Sequence, residues 1–167
     1  MGWLVFVLVV VVVAALLIIA VWAFRTANRL DRLHVRYDLS WQALDAALAR
    51  RAVVARAVAV DAYGDALEGR RLTALADAAE SAPRQAREAA ENELSTALAA
   101  VEPASVPPAL IAELADAEAR VVLARRFHND AVRDTVALRE RRPVRVLRLG
   151  GHAARPAYFE IAEPGQR

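Results

Sequence analysis

The chain opens on an apolar run, Trp3 to Phe24, that holds no charge and no proline. At about 1.5 Å per residue, a helix of this length matches the roughly 30 Å hydrocarbon thickness of a bilayer. The run predicts a transmembrane anchor over residues 1–24. A cleaved signal peptide fits less well, because it has a basic start and a shorter apolar centre, whereas this chain begins Met1-Gly2-Trp3 and stays apolar for far longer. A buried core helix fits worse still, since Val9 to Val13 leave no polar face. Trp3 and Trp22 stand near the two ends of the run, where amphipathic rings favour the headgroup level.

Past Phe24 the pattern narrows to a single stripe. Leu30, Leu33, Tyr37, Trp41, Leu44, Leu48, Ala52, Ala55 and Val58 recur in steps of three and four, with arginines and acids on the other side. Nothing between Phe24 and Leu30 breaks a helix, so this one continues from the anchor to about Leu67. Gly64 and Gly69 bracket the expected turn. A second helical stretch runs from about Arg70 to Val101, interrupted at Pro83, with Ser81 as the expected cap of a restarted helix. Three prolines make residues 102–108 a loop, and Ser105 signals the start of the next helix. That helix is expected from Pro108 to Arg142 on the stripe Leu110, Leu114, Ala117, Val121, Ala124, Ala131, Thr135 and Leu138, with Pro143 ending it.

Helical rise makes these rods about 60, 50 and 50 Å long. Rods of similar length joined by short turns pack best as an antiparallel bundle. The expected fold is therefore all-α, a single transmembrane helix followed by an antiparallel three- to four-helix bundle. Residues 25–142 form the bundle and residues 143–167 a basic tail. The count is three or four depending on whether Pro83 makes a kink or a corner.

Charge adds orientation. Arg25, Arg29, Arg32 and Arg36 crowd one flank of the anchor, and the excess of positive charge on that side puts the bundle in the cytoplasm and the N-terminus outside. The 22 basic residues are all arginine and face 20 acids, so the chain is near neutral at +2 despite its arginine content. The absence of cysteine excludes disulfides, thiolate catalysis and cysteine-held metals. A carboxylate-bridged di-iron site needs two Glu-x-x-His motifs, and only Asp31-x-x-His34 comes near one. There is no phosphate loop and no nucleophile elbow. Gly150-Gly151 reads as a turn, His128 as a bundle residue and His34 as a headgroup-level or surface residue.

Several stretches resemble the LemA family of bacterial membrane-anchored proteins. Asn28-Arg29-Leu30 with Trp41, Asp45, Leu48 and Arg50-Arg51 is similar to the family's first helix. Glu118-Ala119-Arg120-Val121, leading into Arg125-Arg126-Phe127-His128-Asn129-Asp130, is similar to its last, and Tyr158-Phe159-Glu160 to its usual ending. Residues 60–108 carry no such likeness. Ala55-Arg56 stands where relatives often have a proline-asparagine pair, and His128 where tyrosine is common. The resemblance implies an anchored antiparallel helical domain at the bacterial cytoplasmic membrane, without a catalytic residue set or cofactor; some relatives are tied to organising membranes.

Two residue groups remain. Asp45, Arg50, Arg51, Glu118, Arg126, Asn129 and Asp130 lie on or beside the apolar stripes, and buried charges are costly unless paired, so they are expected to fix helix register or to line a binding groove. Arg139, Arg141, Arg142, Arg145, Arg148 and Arg155 form a basic end that reads as a solvated helix terminus, as an anionic-lipid contact, or, least well given the near-neutral chain, as a nucleic-acid patch. In a three-helix bundle this end lies far from the membrane; in a four-helix bundle it returns. The expected function is a non-catalytic scaffold with a protein partner or self-association, then a membrane-shaping lipid binder, then an enzyme with an unrecognised site.

Overall fold

The computed structural model describes residues 1–149, 151 and 154–161. Every regular element is helical, and no strand occurs among the described residues. The order is α1 (Gly2–Tyr63), α2 (Leu67–Ser81), α3 (Arg84–Ala99), a 3-10 turn at Pro103–Ser105, α4 (Pro108–Arg139) and α5 (Arg142–Val146). Helix α1 passes Phe24 without a break. Among the described residues it alone is long and apolar enough to cross a bilayer, with a mean hydropathy of 3.7 over its most apolar window and none of that window buried.

The chain divides into two compact units. One comprises Met1–Asp38 and Asp130–Ala157; the other comprises Leu39–Asn129 and the described residues from Tyr158 onward. In the second unit Ala52, Val54, Ala55, Val58 and Ala59 of α1 pack with Leu72, Ala76 and Ala79 of α2, Leu94 and Leu98 of α3, and Ala117 of α4. Small side chains dominate this core, so the helix backbones lie close together. Leu44, Leu48, Val121 and Phe159 form a second cluster, ringed by Trp41, Ala47, Ala124 and Ile161. Burying each large aliphatic side chain contributes about 1.5–3 kcal/mol. In the first unit Leu30 of α1, Leu138 of α4 and Val144 of α5 are buried together, flanked by Leu33 and Leu149.

Several local expectations change. Gly64 does make the turn after α1, at φ +54°, but Gly69 sits inside α2 and is buried. A Cβ there would lie 2.6 Å from the Gly64 carbonyl oxygen and 3.2 Å from that of Ala59. The glycine is thus a contact point between helices, not part of the turn. Ser81 ends α2, donating its hydroxyl to the Asp77 carbonyl at 2.7 Å, and α3 starts from extended backbone at Ala82 and Pro83 with no side-chain cap. Ser105 donates to the Glu102 carbonyl within the 3-10 turn, so it does not cap α4. Helix α4 stops at Arg139 rather than Arg142, because Pro143 has no N–H to give the Arg139 carbonyl and its ring crowds that oxygen. Pro143 instead lies in the first turn of α5. Of the tail aromatics Phe159 is buried and Tyr158 exposed. Gly150 and His152 lie outside the described residues.

Gly69→Ala is expected to lower stability by about 1–3 kcal/mol even though alanine is the better helix former, since the clash is with backbone. Thermal unfolding in detergent checks this; an unchanged or raised midpoint would show that α1 and α2 have room to part.

Candidate functional site

Within the unit built on Leu39–Asn129, Arg87 and Glu91 stand four residues apart on α3 and so share one face. That face meets Arg51 of α1. Arg51 Nη2 lies 2.5 Å from Glu91 Oε2, and Arg87 Nε lies 2.9 Å from Glu91 Oε1. Each oxygen of one carboxylate is therefore held by a different guanidinium. Glu91 is wholly buried and the two arginines nearly so. Arg87 Nη1 also pairs with Asp45 of α1 at 3.0 Å and donates to the Glu80 carbonyl at 3.1 Å. Arg51 Nη1 donates to Ser95 Oγ at 3.0 Å. Glu118 of α4 is half-buried; burial pushes its carboxyl above the ordinary range, and the charge of Arg51 draws it partly back.

Trp41 organises the same unit one turn before Asp45. Its ring meets His128 edge-on at 5.5 Å and Phe159 at 5.7 Å, with the Arg84 guanidinium 4.0 Å over its face. His128 is fully buried and its Nδ1 lies 3.1 Å from Ser40 Oγ. Asn129 holds the tail through both ends of its amide: Nδ2 donates to the Phe159 carbonyl at 3.0 Å, and the Phe159 N–H donates to Oδ1 at 2.9 Å. This is the pairing a neighbouring strand would offer, supplied by one side chain.

The other unit carries the basic end. Val144 of α5 packs on Leu30, six residues beyond the apolar run, so α5 lies about 9 Å along α1 from Phe24. Arg25, Arg29, Arg32, Arg141, Arg142, Arg145 and Arg148 make no ion pair or side-chain hydrogen bond among the described residues. Across Met1–Asp38 and Asp130–Ala157 eleven arginines face five acids, a net charge of +6 with histidine neutral. The rest of the chain balances this at −4. Val146 and Leu147 are exposed between these arginines.

Of the residues expected to set register, Asp45, Arg51 and Glu118 converge on the Glu91 cluster and Asn129 on the tail. Arg50 pairs with Glu113 of α4, both half out in solvent. Arg126 is exposed, and among the described residues Asp130 reaches only Arg133, at 2.9 Å and one turn along the same helix. Asp130, expected to hold the helices together, therefore bridges none, because one residue past Asn129 the α4 surface has rotated toward solvent. Trp3 and Trp22 are both exposed on α1. Sequence reasoning missed Arg87 and Glu91; their one signal is an i,i+4 pair inside an alanine-rich stretch, which also describes many solvated helix faces. Among the described residues no three His, Asp or Glu side chains converge as a metal site. No family model matches the chain, and comparison with curated proteins and with solved structures returns no match.

Glu91→Ala is expected to cost about 3–5 kcal/mol by leaving buried Arg51 without its carboxylate and buried Arg87 with Asp45 alone, while Asp130→Ala changes stability by no more than about 0.5 kcal/mol. Urea unfolding of both variants checks the contrast, and equal effects would contradict it. For Glu118, a carboxyl raised above its ordinary 4.5 stabilises the fold fully below that pH, and this is lost as pH rises through the raised value. Glu118→Gln should thus melt above the parent protein at pH 7, with the gap closing as pH falls toward 4.5. A gap constant with pH would show that Glu118 titrates normally.

Proposed function

We propose that this chain is a non-catalytic, single-pass protein of the LemA type at the bacterial cytoplasmic membrane. Its N-terminus is outside, and its antiparallel helical bundle is cytoplasmic. The basic end of the bundle rests on anionic lipid, and the remaining helical surface serves a protein partner or self-association. The observation that carries this reading is the gathering, in the unit that also holds the apolar run, of seven arginines without partners among the described residues.

Contact order along α1 supports the bundle. Ser40 meets His128 and Arg50 meets Glu113, an opposite sense for α4. Arg56 meets Asp77 and Glu80 while Gly69 lies against Ala59, again an opposite sense for α2. Asp45 meets Arg87 and Arg51 meets Glu91, the same sense for α3. This alternation supports a four-helix arrangement, in which the basic end would return toward the anchor. Each arginine close to an anionic surface contributes about 1 kcal/mol. The positive flank from Arg25 to Arg36 supports a cytoplasmic domain. The likeness to LemA rests on the first and last helices and the tail.

A second reading, an oligomer that shapes the membrane itself, is favoured by one feature. Leu123 and Phe127 of α4 are exposed beside Ala43, Ala46 and Ala47 of α1, an apolar groove open to a second helix.

Two measurements test the proposal. A periplasm-dependent reporter at the C-terminus should be inactive; an active one would reverse the topology. Crosslinking with mass spectrometry from native membranes should recover a defined protein that survives Arg→Gln changes at 141, 142, 145 and 148. Recovery of self-crosslinks and lipid alone, lost in that variant, would instead favour the membrane-shaping oligomer.

A further inference from the structure

Helix α5 ends in a way that favours glycine, and here the position is held by arginine. The Leu149 N–H bonds the Val144 carbonyl at 3.0 Å and the Arg148 N–H bonds the Arg145 carbonyl at 3.2 Å. These are the two bonds of a Schellman motif, and the side chains of Leu149 and Val144 make its usual apolar contact. The motif requires a left-handed residue between helix and exit. Arg148 occupies that position at φ 50°, the one non-glycine residue with positive φ among those described. A side chain there strains the backbone where glycine would not.

What Arg148 gains for that strain is a place on a cavity. The cavity measures about 340 Å³, at the small end of ligand-sized pockets, and Arg139, Arg145, Arg148 and Arg155 line it. Buried Val144 forms part of its floor. Arg139 Nη1 is committed to the Ala154 carbonyl at 3.0 Å, and Arg155 lies 3.9 Å from Glu140, the one acid on the wall. Arg145 and Arg148 have no such partners among the described residues. A concave site with four guanidiniums and one carboxylate suits a phosphate, whose oxygens take forked guanidinium bonds. Exposed Val146 and Leu147 beside it suit the glycerol and upper acyl region of a lipid.

We infer that this cavity is a discrete site for a phosphate group, carried by an anionic phospholipid headgroup, with Arg148 held in its strained conformation to complete it. The inference rests on the lipid-facing reading above and goes further by replacing a diffuse charged surface with a single site.

The test uses the full-length protein in neutral detergent, with native mass spectrometry counting retained dioleoyl phosphatidylglycerol against dioleoyl phosphatidylcholine. Arg148→Gly and Arg145→Gln should each weaken phosphatidylglycerol retention about tenfold, while Arg133→Gln, which removes the same charge from the same unit but outside the cavity and at an arginine paired with Asp130, should leave it within about twofold of the parent. The thermal midpoint of Arg148→Gly should equal or exceed that of the parent, since glycine relieves the strain. A lowered midpoint would mean that arginine serves the fold, and would overturn the inference. Equal losses in all three variants would also overturn it while leaving the lipid-facing reading intact. No preference for phosphatidylglycerol in the parent would overturn both. Displacement of the lipid by millimolar inorganic phosphate, with phosphate retained by the parent and not by Arg148→Gly, would overturn the lipid as the source.

Discussion

One carboxylate sets the register of the helical unit. Glu91 is removed from water, and its two oxygens are held by Arg51 from α1 and Arg87 from its own helix. Burying charge is costly, and the cost is offset only while every partner stays in place. A shift of α3 by one residue would turn Glu91 away from Arg51 and Arg87 away from Asp45. The alanine-rich core around the cluster offers little shape of its own, since Ala52, Ala55, Ala59, Ala76 and Ala79 present only methyl groups. Directional charge therefore supplies a uniqueness that small apolar side chains do not.

The same logic extends to the tail. Phe159 buries against Trp41, Leu44 and Leu48, but burial alone tolerates several poses. The two amide bonds from Asn129 fix which backbone atoms face α4. Arg84 over the open face of Trp41 adds a cation–π contact, so one indole joins elements from three parts of the chain.

At the other unit the organisation differs: ion pairs such as Arg36 with Asp134 lie on the surface, and much of the positive charge has no acid against it. Arginines that form ion pairs elsewhere, such as Arg56 with Asp77 and Glu80, are replaced here by Arg141, Arg142, Arg145 and Arg148, which have no partners among the described residues. Their repulsion is tolerated because Val144 and Leu138 pack on Leu30 and hold the segment in place. An uncompensated cationic surface next to an apolar helix costs fold stability and favours an anionic surface as its complement.

Much of this was legible in the residues themselves. Composition alone marks Trp3 to Phe24, and three- and four-residue spacing marks the stripes of α1 and α4, because those patterns report the periodicity of one helix against one apolar environment. Prolines mark where helices stop, though Pro143 acts four residues upstream of itself, at Arg139. Tertiary structure decided the remainder. Proline at 83 breaks a helix, but whether the break is a kink or a corner depends on what the two halves pack against. Gly69 looks like a turn residue until a carbonyl oxygen is found where its Cβ would be. Arg87 and Glu91 look like a solvated pair until Arg51, forty residues from Glu91, is brought against them. Spacing along a helix fixes which residues share a face; only packing decides what that face meets.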